Sequence, residues 1–385
     1  MPDVRAIVIA ALLAGPGCLS FDAAAPSPSV STGVAWVEPA SPCDVDACGN
    51  GNSPIIAGVW FWKLNWLGLP NDPADPGSVR VTGVVSKTHI NMVLLAEGDR
   101  LVGYNKVAWD AGIKVKQAEG KDLGDTQIHV KLHGKNYSIR IEVLADADGG
   151  VRTVPFWLPM PEWSKPVELY RFFYRPLDPP EDKTGETQLC QRPAREPPGP
   201  GEQWLDAIVF TGDLYNPATK DITTAGTDGW MNIACYMGAP YKMHLMGHTT
   251  VAGKKLGLRT SIDERKSLLN AFTMNACGTG KAFTVQGTEI NLKSKGNLDA
   301  PRYLPEVKTH EAIWGPDGAL CLGRHRLATD EDSDTAERGK IAAECPKRSF
   351  ESCDAMWNFW GDATHHGLFR TSAPNWPKRP VIAPP

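Results

Sequence analysis

The feature that most restricts what this chain can fold into is its cysteine set: Cys18, Cys43, Cys48, Cys190, Cys235, Cys277, Cys321, Cys345 and Cys353. Cys18 stands apart by position. It follows the apolar run Ala6 to Ala14 and the small residues Gly15-Pro16-Gly17, which is the layout of a signal segment ending at a lipid-attachment cysteine. The run is too short to cross a bilayer as a helix. Setting Cys18 aside leaves an even number, and in an exported protein that reads as a disulfide framework of up to four bridges. The spacing allows Cys43 with Cys48 to close a small loop and Cys345 with Cys353 a larger one. No pair has the two-residue spacing of common zinc knuckles, so disulfides are expected and a metal is not. The expected product is a lipid-anchored protein of the outer surface or cell envelope. Cleavage after Ala23-Ala24-Ala25 would instead give a secreted or periplasmic one.

The charge balance, 40 basic against 44 acidic residues without a basic run, argues against a nucleic-acid partner. No second stretch is long and apolar enough for a membrane helix, so the expected membrane contact is through the N-terminal lipid alone. The 37 Gly and 32 Pro residues favour short strands joined by turns. No internal repeat is visible.

Along the chain, 1–18 is the signal and lipoprotein-type segment, and 19–55, rich in Ala, Ser, Pro and Gly, is a flexible stalk. From Gly58 the texture changes. Val59 to Trp62, Val79 to Thr82 and Met92 to Leu95 are strand pieces bounded by turn residues. Gln127 to Leu132 and Tyr137 to Val143 alternate with the period of half-buried strands, and His133 to Asn136 between them supplies a turn, so together they form a hairpin. Residues 56–190 are thus expected to be a β-rich domain, and 191–203, with Pro193, Pro197, Pro198 and Pro200, a linker. The mixed domain expected over 204–360 carries a helix from Ile262 to Asn275, with Ser261 and Glu264 as a capping box and Gly278 as the helix-ending glycine. A shorter helix is expected over Thr335 to Glu344, with loop over Asn291 to Asn297 and a tail over 361–385, Pro-rich from Pro374. The fold class is α+β, mainly β: a β-rich domain followed by a disulfide-braced mixed one.

The stretch Asn270 to Gly280 resembles the signature of the ADYC-domain family of bacterial proteins, in which Ala-Asp-Tyr-Cys precedes Gly-x-Gly. Here those positions read Met274-Asn275-Ala276-Cys277, keeping the cysteine. Phe283 to Ile290, Glu311 to Cys321, Glu344-Cys345-Pro346, Phe210 to Tyr215 and Trp230 to Cys235 are similar to further family segments. The resemblance covers roughly residues 160 to 355, with weaker similarity back to Gly58. It implies an exported, cysteine-bridged protein and assigns no catalytic residue.

Candidate chemistry is sparse. Cys277 has His244, His248, His365 and His366 as possible bases. It falls at the C-terminal end of the expected helix, where the dipole disfavours a thiolate, so a disulfide with Cys235 is expected instead. His244 and His248 have the spacing of two ligands on one helical face, but Tyr241 to Thr250 does not read as a helix and no Glu follows His244. Asp146-Ala147-Asp148-Gly149-Gly150 begins like a calcium loop and meets Trp157 where the closing carboxylate belongs, so a plain turn is expected. The acidic run Asp330 to Asp334 is a solvated loop and helix start.

No catalytic residue or cofactor is therefore assigned. The expected function is non-enzymatic binding of a partner protein or glycan, with Trp60, Trp62 and Trp66 as candidate contacts among thirteen tryptophans. The alternative is a hydrolase whose site is assembled between domains. Intact mass with thiol labelling tests the framework: lipid mass on Cys18 and eight cysteines that label only after reduction are expected, and free thiol at Cys277 in the native protein would overturn it.

Overall fold

The computed structural model describes residues 53–89, 91–157, 165–177, 185–190, 205–223, 229–249, 261–284, 291–294, 309–328, 330–357 and 369–373. The expectations for Cys18, Cys43, Cys48, His365, His366, the Pro-rich stretch 191–203 and the chain beyond Pro374 lie outside these residues.

The local patterns explain most strands. The strands of the larger sheets are β1 (Lys63–Asn65), β2 (Arg80–Val85), β3 (Met92–Glu97), β4 (Arg100–Asn105), β5 (Lys116–Glu119), β6 (Gln127–Leu132) and β7 (Lys135–Val143). They continue with β8 (Tyr170–Pro176), β9 (Thr187–Gln188), β10 (Asp206–Phe210), β11 (Trp230–Cys235), β12 (Asn291–Ser294), β13 (Thr309–Gly315), β14 (Gly318–Leu322) and β15 (Phe369–Ala373). In β6 every second residue is buried, placing Ile128, Val130 and Leu132 inward. The β6–β7 turn is tighter than expected. His133 and Gly134 both take positive φ, 45° and 83°, and Leu132 pairs directly with Lys135, as in a two-residue hairpin whose twist matches its strands.

These strands build an eight-stranded antiparallel sheet in the order β1-β11-β10-β8-β7-β6-β2, with β9 added on β8. The sheet curls until its two end strands meet, where Gly68, just beyond β1, lies against the Val81 carbonyl of β2. Inside the curl is a core of Phe61, Leu64, Val81, Ile128, Ile139, Phe172, Val209 and Ile233. A three-stranded sheet, β3-β4-β5, covers this core with Met92, Leu94 and Leu101. Strands from both sides of 191–203 share the main sheet, so the expected boundary falls between members of one structural unit.

A second layer packs on the outer face of β10 and β11. It contains helices α2 (Ala239–Leu245), α3 (Ile262–Thr273), α4 (Glu331–Glu344) and α5 (Cys353–Trp357), numbered after the short α1 (Lys106–Asp110). It also contains the sheet β12-β15-β13-β14. Ile208, Phe210 and Ala234 face this layer while Ala207, Val209 and Ile233 face the curl. Burial on both faces is why Asp206–Phe210 is an unbroken buried run.

Several expectations are corrected here. The capping box of α3 is present, Ser261 Oγ accepting from the Glu264 amide at 3.1 Å. The helix stops at Thr273 because Met274 itself turns left-handed (φ 53°), so Gly278 is not its terminator. Helix α4 begins at Glu331, four residues before the expected start, because Asp330 accepts from the Ser333 amide at 2.7 Å and caps it. Ala239–Leu245 is helical, with Pro240 in its first turn. Asn291–Ser294 is a strand rather than a loop, held by Phe369–Ala373 from the expected tail. At the end of the expected stalk, Ile55 pairs with Trp60.

Three disulfides brace the described residues: Cys190–Cys235, Cys277–Cys345 and Cys321–Cys353. The expected Cys235–Cys277 and Cys345–Cys353 pairs do not form. Cys235 points into the curled core, where Cys190 meets it. Cys277 lies on the second layer beside the end of α4, and Cys353 lies under β14.

The turn after α3 shows what the signature region does. The Ala276 carbonyl accepts from the Ala319 amide (2.9 Å) and from Arg348 Nη1 (3.0 Å). Asn275 Oδ1 accepts from the Gly280 amide (3.1 Å), and its Nδ2 donates to Asn270 Oδ1 (2.9 Å). The β13–β14 turn presses so close that a Cβ on Gly318 (φ 111°) would sit 2.4 Å from the Ala276 carbonyl oxygen and 2.8 Å from the Gly278 nitrogen. Both obstacles are backbone, so Gly318→Ala is expected to cost roughly 2–4 kcal/mol in urea denaturation, whereas Gly339→Ala, with open space around it, should cost nothing.

Candidate functional site

Among the described residues, a cavity of about 470 Å³ opens where the curled sheet and the three-stranded sheet diverge. Its floor is apolar: Val81, Val84, Met92 and Leu94 are shared with the core. Trp66, Leu67 and Gly68, just past β1, form one side, and Lys106, Trp109 and Asp110 of α1 form the other. Helix α1 is only five residues long. It exists because Asn105 caps it, Oδ1 accepting from the Ala108 amide at 2.9 Å, and because Lys106 and Asp110 pair across one turn at 2.8 Å.

Trp66 and Trp109 meet edge to face across this cavity, centroids 5.2 Å apart at 88°. Tyr104 packs on Trp109 at the same distance, and Lys114 Nζ lies 5.2 Å over its ring. The backbone of Trp66 is held by the Gly229 carbonyl at 2.9 Å. Only a glycine fits at 229, where a Cβ would sit 2.8 Å from Trp66 Nε1. Burial, and then a hydrogen bond to Glu97, pushes the Tyr104 hydroxyl up to about 12, so it stays protonated. The site therefore offers apolar walls and aromatic edges with an ion pair on its rim. It holds no nucleophile-base pair.

Of the three candidate tryptophans, Trp66 lines the cavity. Trp62 is in the second-layer core, donating Nε1 to Ser53 Oγ at 2.7 Å and packing on Tyr215. Trp60 sits half-buried in the two-residue strand Val59–Trp60. They sit in different local elements, Trp60 in a two-residue strand, Trp62 just before β1 and Trp66 just after it, and do not form one surface. Trp109, Lys106 and Asp110 were absent from the sequence-based candidates. Asn105 and the Lys106/Asp110 spacing signal a short helix there, but no local pattern places it beside Trp66.

The cysteine and histidine candidates resolve into structure. Cys277 is bonded to Cys345. His244 stacks on Phe210 (4.3 Å, 14°), its Nδ1 2.7 Å from Thr249 Oγ1 and its Nε2 3.9 Å from Asp99 Oδ2. That Asp-His-Thr order is the order of a nucleophile relay. Thr249 is only 4% exposed, however, and burial pushes the imidazole down to about 3, so it is a poor proton acceptor. His248 packs edge-on to Phe369 and is pushed down to about 4 by burial and then by Arg265. Among the described residues no three His, Cys, Asp or Glu side chains converge as a metal site would need. The Asp146 carboxylate accepts from the Gly150 amide, making the 146–150 loop a turn, and Asp330 to Asp334 forms the start of α4.

A curled, disulfide-braced β scaffold with an aromatic-walled groove is the class that this geometry defines. A model of the ADYC domain matches residues 120–328, and the chain belongs to that family. The match begins earlier than the expected residue 160, taking in β6 and β7, and ends before α4. No curated protein and no solved structure matches the chain significantly.

The buried histidines carry a sign. His244, His248 and His325 all have folded values pushed down, chiefly by burial, to between about 3 and about 4. Their stabilising neutrality is complete above the unfolded value near 6.5 and is lost as pH falls through the folded values. Denaturation midpoints should therefore drop from pH 6.5 towards 4, and His248→Leu should flatten that slope by about a third. An unchanged slope would show that His248 does not contribute.

Proposed function

We propose that this ADYC-domain protein is an exported envelope protein that works by binding rather than by catalysis, the groove between Trp66 and Trp109 being its site for a partner protein or glycan. The observation that carries the reading is the convergence of two tryptophans from separate elements over an apolar floor. Aromatic edges and faces of this kind contribute large contact area at little entropic cost. The cavity falls within the size range of small-ligand sites, which suits one or two sugar rings or a short peptide stretch.

Export is supported by the cysteine chemistry, since three disulfides are compatible with an extracellular or periplasmic location. Among the described residues no helix is long and apolar enough to cross a membrane. Retention at the envelope follows in this reading from lipidation of Cys18, the residue after the Ala6 to Ala14 run. Without lipidation the same fold would be secreted or periplasmic.

The test is a tryptophan-fluorescence titration with soluble polysaccharide fragments and unstructured peptides. A ligand that shifts emission should bind Trp109→Ala about tenfold or more weakly, because truncating a central aromatic anchor costs on the order of 2 kcal/mol. Circular dichroism should show that the variant is folded. A ligand that binds Trp109→Ala and wild type equally would move the site elsewhere.

A further inference from the structure

The segment after α1 presents apolar side chains to solvent that the groove does not use. Val107 is 76% exposed, Ile113 59% and Val115 45%. They belong to one knob, because the Ile113 amide donates to the Ala108 carbonyl (2.8 Å) and the Asn105 amide to the Val115 carbonyl (2.9 Å). Every residue from 111 to 116 is exposed. Single exposed aliphatic residues are ordinary, but three on one projecting turn call for a reason.

The order Ile113-Lys114-Val115-Lys116 interleaves these tips with cations. Lys106 and Lys116 are tied to Asp110 and Glu119, each at 2.8 Å. Lys114 lies over the Trp109 face, and no carboxylate among the described residues is within ion-pair distance of it. Apolar tips flanked by lysines whose long stems can reach outward form the pattern of an interfacial contact with lipid. A second copy of the chain is a poorer fit. Three aliphatic side chains on a narrow knob offer far less than the roughly 800 Å² per partner that a stable interface buries.

We infer that the knob formed by Val107, Ile113 and Val115 with Lys114 inserts into the surface of an anionic lipid bilayer, giving the protein a membrane contact of its own beside any N-terminal lipid. The insertion is shallow. The tips enter the headgroup boundary while Lys114 meets lipid phosphate, and β4 and β5 hold the knob from behind. None of the three aliphatic residues lines the groove, so the Ile113/Val115 arm of the test stands apart from the binding reading above, whereas Lys114 also packs over the groove residue Trp109.

The test is co-sedimentation of the full chain with vesicles of equal parts phosphatidylcholine and phosphatidylglycerol, against vesicles of phosphatidylcholine alone. Wild type should partition onto the anionic vesicles, and Ile113→Ser/Val115→Ser should lower partitioning by about tenfold or more. Lys114→Gln should lower it by about fivefold on anionic vesicles and leave the neutral ones unchanged. All substituted side chains are exposed, so thermal melts should match wild type. Equal partitioning by wild type and both variants would overturn the inference. It would equally be overturned if the serine variant changed only the sedimentation coefficient of the free protein, because the knob would then be a contact between copies.

Discussion

Everything else in the structure depends on strands 206–210 and 230–235 being buried on both faces. Their inward residues complete the curled core, and their outward residues are the platform for the helices and the four-stranded sheet. Buried carboxylates around this junction are paired with arginines. Asp206 is held by Arg171 (2.8 Å) and by Arg152. In the second layer Arg265 donates to Asp213 (3.1 Å), and Arg326 makes a bidentate pair with Glu311 (2.6 and 2.9 Å). Arg326 also reaches the Ala271 carbonyl at 2.8 Å, placing positive charge at the C-terminal end of α3. Removing one member of a buried pair leaves an uncompensated charge at a cost of about 3–5 kcal/mol.

What could be read from the residues was local. The 127–143 hairpin was legible because alternation and turn chemistry lie within one short window. The start of α3 was legible because a capping box is a four-residue feature. Sheet order was not, since β1 pairs with β11 from beyond the Pro-rich stretch. Proline marks where a chain leaves a regular element, and says nothing about which strands later pair. The cysteine partners were hidden for the same reason. Bridges closing loops of 45, 68 and 32 residues reflect which layers meet, whereas spacing favours near neighbours.

The site was half legible. Trp66 was visible as a candidate, but its partner Trp109 is joined to it only by the approach of α1 to the end of β1. The signature stretch reads differently in three dimensions than as a string. Asn275 and the Ala276 carbonyl tie the turn after α3 to the β13–β14 hairpin, and Cys277 ties it to α4. Glycines 278, 280 and 318 let backbones approach where any Cβ would collide. The stretch is a clamp that holds the elements of the second layer together, and the kept cysteine is its covalent part.

The pairing of Lys63–Asn65 with Trp230–Asn232 also sets the order in which the molecule can be made. As the chain emerges, β1 of the main sheet has no strand partner until β11 has followed. The interior of the curl stays open to water for that interval, and sheets built from such distant partners close slowly. A newly made chain must therefore be kept from sticking to others until its middle arrives.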